Sequence, residues 1–348
     1  MITDDTAGAG LAARGPYFDE LEHGMVFDGA PGVTLTEGGA AMHQAVVGDR
    51  LPAATDHELG RRLTGSGPLA HPAYVWDVCI GQSTTATHFV KANLFYRGLA
   101  FRRLPALGDT LFTTTTVVGL KQNTPREGRA LTGLAALHII TRDQEGRAVL
   151  DFHRCAMLPL TPGAGPTVHG DDLSRIGTGA EATTDAELLD GLDLAALTSS
   201  PALPAPGTTI RVVGGDVVSS APELARLTLN VAQVHHDAHL AGGRRLVYGG
   251  HTIGIAAAQA SRALPGIAFF LSWTSCDHTG PVHEGDTLRS TITVESVRPG
   301  PAGTRILDLR SVVEADAPTD GKTSSDPRPV LDWHFTVLAG PASQGAQR

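Results

Sequence analysis

The chain has 348 residues, 41% of them hydrophobic and 18% charged, a composition that fits a globular protein of two ordinary domains. A formal net charge of −9 gives a nucleic-acid partner no electrostatic support. Cys79, Cys155 and Cys276 are odd in number and far apart, which argues against a disulfide framework or a thiolate zinc site and for a reducing cytoplasm. The start, MITDDTAGAG, has no apolar core, so no signal peptide is expected. No uncharged apolar run approaches the ~18 residues that a membrane span needs.

In chain order, residues 1 to about 15 read as a loose tail. Met25 to Thr36 reads as a strand with a Gly/Pro interruption, Glu37 to Val47 as an alanine-rich helix, and Gly48 to Asp56 (GDRLPAATD) as a polar turn. A buried helix opens in Leu69 to Gly81 and runs to about His88. Four strands are predicted next, at about Phe89–Phe101, Thr110–Leu120, Ala130–Thr141 and Ala148–Leu158, all rich in β-branched and aromatic residues. Pro159 to Gly207 reads as a linker holding one short helix, Asp185 to Leu197. The order then returns: a strand at Thr208–Val218, and a helix opened by the capping box Ser220-Ala-Pro-Glu223. A second buried helix, Gly249–Leu264, precedes strands at about Ile267–Cys276, Asp286–Val297, Thr304–Glu314 and Val330–Leu338. A long polar loop, Ala315–Pro329, joins the last two.

The return is visible in the residues themselves. LGDTLFTTTTV (Leu107 to Val117) matches EGDTLRSTITV (Glu284 to Val294), and VLDFHRCAML (Val149 to Leu158) matches VLDWHFTVLA (Val330 to Ala339). Leu69-Ala70-His71-Pro72 falls opposite Leu246-Val247-Tyr248-Gly249. The chain is therefore read as two copies of one unit, residues 1–160 and 207–342, joined by a linker at 161–206. A long helix wrapped by an antiparallel sheet makes each copy an α+β layer.

Chemistry concentrates in Asn230 to Ile255, NVAQVHHDAHLAGGRRLVYGGHTIGI. An amide and a histidine five residues later are followed by a charged loop, then by a Tyr-Gly-Gly turn and a run of small and apolar residues, Ile253 to Ala260, with no charge in it. The first N–H groups of a helix have no internal partner and favour negative charge, and glycine lets a carbonyl approach closely. That is a way to build an oxyanion site.

This order, with GDT opening a strand, resembles the hot-dog fold, and the tandem form resembles the double-hot-dog MaoC-like dehydratases (hydratase 2 enzymes). Their motif is roughly G-D-x-N-P-Φ-H-x-D, followed by a glycine that opens the central helix. The resemblance implies that the Asp and His hold the reacting water and the Gly N–H holds the thioester oxygen. The first copy keeps Gly48, Asp49, Pro52 and Asp56, but has Leu51 for the Asn, Ala54 for the His and Pro72 for the Gly. Proline has no N–H to donate, so the first copy is expected to be catalytically dead. The second copy keeps His235, Asp237 and Gly249, with Asn230 in place of the Asp. The run N-x-A-x-V-H followed by RRLVYGGH, with LDFHRCAML and VVGLKQN in the first half, looks like the β-methylmalyl-CoA dehydratase (mesaconyl-CoA hydratase) branch.

Hydrating an enoyl thioester requires polarising the carbonyl, deprotonating a water and protonating the α-carbon. Gly249 N–H suits the first. His235 suits the other two, Asn230 the orientation of the water, and Asp237 the orientation of His235. Tyr248, Gly250 and His251 surround the turn and are candidate substrate contacts. Arg244 and Arg245 are candidates for a substrate carboxylate or a CoA phosphate, and Arg97, Arg102, Arg103 and Lys121 for a CoA phosphate. His235, His236, His239 and Asp237 fit no strong metal spacing, so no metal or redox cofactor is expected, coenzyme A entering only as part of the substrate. Asp77, on the first buried helix, keeps a rival open, because hot-dog thioesterases often carry a carboxylate there; its plainer reading is a hydrogen-bonded residue between the halves. A non-catalytic acyl-CoA binder is the third reading. Exposed sheet edges point to a homodimer.

Overall fold

The computed structural model describes residues 2–5, 10–179, 185–198, 203–318 and 327–341. Eight long strands carry the architecture: β1 (Ala92–Phe101), β2 (Thr110–Gln122), β3 (Thr132–Arg142), β4 (Ala148–Pro159), β5 (Ile267–His278), β6 (Thr287–Pro299), β7 (Arg305–Asp316) and β8 (Arg328–Ala339). They form one continuous sheet in the order β6-β7-β8-β5-β1-β4-β3-β2, with every neighbour antiparallel. The order is its own mirror about the β5–β1 pair, so the two halves meet edge to edge. Alternation sets which face each strand buries: in β2, Leu111, Thr113, Thr115 and Val117 point inward while Phe112 and Thr114 are exposed.

Each half wraps a central helix, Pro72–Gln82 in the first and Gly249–Ala263 in the second. The repeat extends to individual bonds. Gln82 and Gln259 sit at matching places, and each donates from Nε2 to a strand carbonyl, Leu111 and Leu288, at 2.9 Å. Gln82 Oε1 accepts from Thr113 Oγ1 at 2.6 Å, and Gln259 Oε1 from Ser290 N–H at 2.7 Å. These are double hot-dog halves. Where they meet, Trp76, Trp273, Trp333, Phe270 and Phe335 pack in one aromatic cluster, with Trp76–Trp273 and Trp273–Trp333 edge to face, ring centres 4.9 Å and 5.5 Å apart. Each large side chain buried there contributes roughly 2 kcal/mol.

Local chemistry modifies several expectations. Helix Glu37–Val47 matches, capped by Thr36 Oγ1, which accepts from Gly39 N–H, and ended by Gly48 at φ 76°. The expected turn at Gly48–Asp56 instead holds a short helix, Pro52–Thr55, and Asp56 caps a further helix, His57–Thr64. The capping box at Ser220 does not form: Ser220 is left-handed at φ 57°, and Glu284 Oε1 from a distant loop accepts the Ala221 N–H. The strands expected at Met25–Thr36 and Thr208–Val218 each break in two at their glycines, leaving Val26–Phe27 with Val33–Thr34 and Thr209–Arg211 with Asp216–Val217. The helix expected at Asp185–Leu197 is reduced to Asp185–Leu188 and a 3-10 turn at Leu194–Ala196. The tail pairs Ile2–Asp5 with Gly10–Ala13. Part of the long polar loop, residues 319–326, lies outside the described residues. All three cysteines are free and buried, and burial raises the Cys79 thiol to about 12, so these are packing residues. No helix among the described residues is long and apolar enough to cross a membrane.

Candidate active site

A cavity of about 300 Å³ opens between the halves. The first half supplies one wall from the end of its central helix and β1 (Ile80, Thr84, Lys91, Asn93, Tyr96) and from Arg154 of β4. The second half supplies Asn230, His235, Tyr248, Gly249, Thr252 and His278. Residues far apart in sequence therefore face one space, and Asn230, His235, Tyr248 and Gly249 are among those expected there.

The loop before the second central helix is held from the opposite half. Val231 N–H donates to Thr84 Oγ1 at 2.9 Å, and Gln233 N–H to the His88 carbonyl at 3.0 Å. Leu229, just before Asn230, is forced to φ 57°, a strained conformation for a branched side chain. Asn230 Oδ1 accepts from Ala232 N–H at 3.0 Å, which fixes the amide orientation, because an N–H needs an acceptor. Its Nδ2 is buried and has no protein partner, so the amide is a donor towards the cavity.

His235 is 8% exposed. Its Nδ1–H donates to the Leu246 carbonyl at 2.8 Å, so Nε2 carries the lone pair. Burial pushes its pKa down to about 4, against the Leu246 bond, which raises it; His236 and Arg154 lower it further. At neutral pH this is an unprotonated imidazole with one basic nitrogen free.

The second central helix begins with no side-chain cap. Gly249 and Gly250 open it, and orphan N–H groups there favour a developing negative charge. Space at Gly249 is tight: a Cβ would lie 2.6 Å from His278 Nε2. His278 was not anticipated; the signal was its place in CDHTGPVHEGDT, a polar turn leading back to the site. Burial drops its pKa to about 4, and its Nε2 has no partner.

Other expected residues fall elsewhere. Asp237 does not orient His235; its Oδ1 accepts from His239 N–H at 2.8 Å and caps its own turn, a backbone carbonyl having taken the orienting role. His236 Nε2–H donates to the Asn230 carbonyl at 2.7 Å, so it turns away from His235 Nε2. Gly250 and His251 do not line the cavity. A Cβ on Gly250 would run into Asp77 Oδ1, so this glycine permits the close approach of the two helices. His251 is 0% exposed, and neither ring nitrogen has a partner. Arg97 is paired with Asp277 at 2.6 Å, Arg245 with Glu284 at 3.1 Å, and Arg244 is exposed beside them. Arg102 and Arg103 are likewise paired, with Asp151 and with Asp109 and Asp143. Lys91, exposed on the cavity wall, and Arg154, buried in it, are cations that were missed there. Asp77 is wholly buried between His43 Nε2 at 2.9 Å and the Tyr248 hydroxyl, which donates to it at 3.2 Å. It holds the halves together and does not face the cavity.

The first half's matching position is closed. Pro72 replaces the opening glycine, and His71 Nδ1 accepts from Ala73 N–H at 2.8 Å, so that helix caps itself. Asp49 Oδ1 lies 2.7 Å from His71 Nε2 and also accepts from Leu51 N–H. Only about 10 Å³ remains between Ala54, Pro72 and Phe269.

No family model matches the sequence. The β-methylmalyl-CoA dehydratase of Chloroflexus aurantiacus is 27% identical, over 93% of this chain and 97% of the relative. The mesaconyl-CoA hydratase of Cereibacter sphaeroides is 26% identical, over 79% and 82%. Among solved structures, Rv0216 of Mycobacterium tuberculosis, which has a double hot-dog fold, is 54% identical with a TM-score of 0.87, covering 93% of this chain and 98% of that one. The chain belongs to the MaoC-like double-hot-dog family. A MaoC domain protein of Chloroflexus aurantiacus, 27% identical over 94% and 98%, superposes with a TM-score of 0.78. In this MaoC-like chain Asn230 and Gly249, the residues that the resemblance sets against the family's Asp and oxyanion Gly, both line the cavity.

Proposed function

We propose that this chain is a hydro-lyase that reversibly adds water to an enoyl-CoA, the β-methylmalyl-CoA and mesaconyl-CoA pair named by its relatives being the first substrates to try. The observation that carries the reading is one cavity holding both the free Nε2 of a neutral, carbonyl-oriented His235 and an uncapped helix start at Gly249. In the hydration direction the thioester carbonyl accepts from Gly249 N–H, and Asn230 Nδ2 donates to the attacking water. His235 Nε2 takes one proton as the water oxygen bonds to the β-carbon, and the resulting imidazolium returns that proton to the α-carbon of the enolate, closing the balance at one water added and a neutral His235. One well-placed oxyanion donor is worth roughly 3 kcal/mol in such a step. No protein residue need form a covalent bond. A cytoplasmic homodimer goes with this reading, the dimer resting on Val26 and Val217, exposed on the short strands beyond β2 and β6; sedimentation of the purified chain tests it.

The test is incubation with mesaconyl-CoA, following double-bond loss and free thiol together. Double-bond loss without thiol release is expected. Thiol release would favour a thioesterase, and neither change would leave an acyl-CoA binder.

A further inference from the structure

Arg154 has no role in the steps above, yet it is a cation in the interior. It is 2% exposed and lines the cavity from β4. Its Nη2–H groups donate to neutral oxygens only, the Ser83 carbonyl at 3.1 Å and Thr87 Oγ1 at 2.8 Å. Its Nε–H is buried without a partner, and among the described residues no carboxylate pairs with it. Guanidinium stays charged in proteins, and a buried charge without a counter-ion is strongly unfavourable. Burial pushes its pKa down, the sign expected of a cation held without an anion.

The fold itself does not ask for an arginine here. Arg154 faces Tyr96 across the β1–β4 pair, and at the matching place of the other half Phe335 faces Trp273 across β5–β8. Asn93 opposes Ala156, where the other half has Phe270 opposite Val337. The closed site at Pro72 is thus floored by Phe270 and Phe335 from the second half's strands, and the open site at Gly249 by Asn93 and Arg154 from the first half's. The cation is present only where there is a cavity to hold a ligand.

We propose that Arg154 binds a free carboxylate on the acyl group, so that this site selects CoA thioesters of dicarboxylic acids over those of monocarboxylic acids. A carboxylate oxygen can accept from the Nε–H now unmatched and supply the counter-charge that the Ser83 and Thr87 oxygens do not. The phosphates of coenzyme A are the other anions at hand, but Arg154 is at the buried end of the cavity, whereas Lys91 is exposed on its wall. The proposal rests on the hydration reading only for which end of the acyl group reacts.

Two arms test it. Calorimetric binding of the unreactive succinyl-CoA and butyryl-CoA does not depend on catalysis. Wild type is expected to bind succinyl-CoA more than tenfold tighter, and Arg154→Gln to lose that preference while keeping its butyryl-CoA affinity. The second arm is kcat/KM on mesaconyl-CoA and crotonyl-CoA. Arg154→Gln is expected to lose about a hundredfold on the first, as for an unpaired buried polar partner, and to change little on the second. Arg154→Met, which keeps the stem's packing, replaces the Gln variant if that fails to fold. Equal binding of the two ligands by wild type, or equal losses on both substrates, would overturn the proposal. Absent hydration with the binding preference intact would overturn the hydration reading and leave the carboxylate site standing.

Discussion

His235 has one ring nitrogen fixed on the Leu246 carbonyl and the other free in the cavity, so its chemistry can be read from a pH profile. A base must be unprotonated to act, and burial holds this one near 4, so kcat/KM on mesaconyl-CoA should stay level down to about pH 5 and fall through about 4. His235→Ala should remove at least about a hundredfold of turnover, while Asn230→Ala, which loses only a donor to the water, should lose less. Asn230→Asp would place a carboxylate beside His235 and stabilise imidazolium. The pKa rises, protonation begins at higher pH, and the acid limb moves up; an unmoved limb would mean that another group is the base. Gly249→Ala keeps the N–H, but its methyl meets His278 Nε2. A loss of about tenfold or more in kcat with substrate binding retained is the expected result, since small displacements of an oxyanion donor are costly.

At the scale of elements, the loop of one half that carries the proposed base is held by the end of the other half's central helix and the turn after it. Gly81 has no room for a side chain: a Cβ would run into the Thr228 carbonyl. Gly81→Ala should therefore push the 228–235 loop off its anchor at Thr84, lowering kcat by about tenfold or more with a melting-temperature loss of several degrees. Thr84→Val is milder, removing the acceptor for Val231 N–H at a cost of about 1–3 kcal/mol. Asp49 makes the converse case. It resembles a catalytic carboxylate in sequence, but its bonds are to Leu51 N–H and His71 within a closed half. Asp49→Asn should lower thermal stability while leaving kcat within about threefold; a loss near a hundredfold would show that the first half takes part in the chemistry.

For the whole molecule, the buried histidines link folding to pH. His235 is held down near 4 and His251 near 3, both chiefly by burial, while an unfolded histidine titrates at about 6.5. The unfolded chain therefore binds protons first. This contribution to stability is complete above pH 6.5 and is lost as pH falls towards 4, by up to about 3 kcal/mol for each group. Denaturant midpoints measured from pH 7.5 to 4.5 should fall steadily, and His251→Leu, which removes two unpartnered ring nitrogens, should flatten that slope. A slope identical to wild type would place the acid sensitivity elsewhere.

The sequence by itself determined the tandem architecture, because inward-facing alternation and two largely apolar helices have to be buried against each other, and the duplicated GDT and VLD segments repeat that pattern. It also located the uncapped Gly249 helix and the Asn230–His235 loop, since a helix start and a turn are local events written in neighbouring residues. Tertiary structure decided what those residues touch. The partner of His235 is a backbone carbonyl eleven positions on, which no side-chain pattern encodes, so Asp237 was a reasonable and incorrect choice. Arg244 and Arg245 read as site cations because they are near in sequence, whereas Arg154 reaches the cavity from a strand of the other half. Its signal was present as an arginine opposite Phe335 in the matched VLD segments, but only burial and the missing counter-ion, properties of packing across the two halves, make it a charge in need of a ligand.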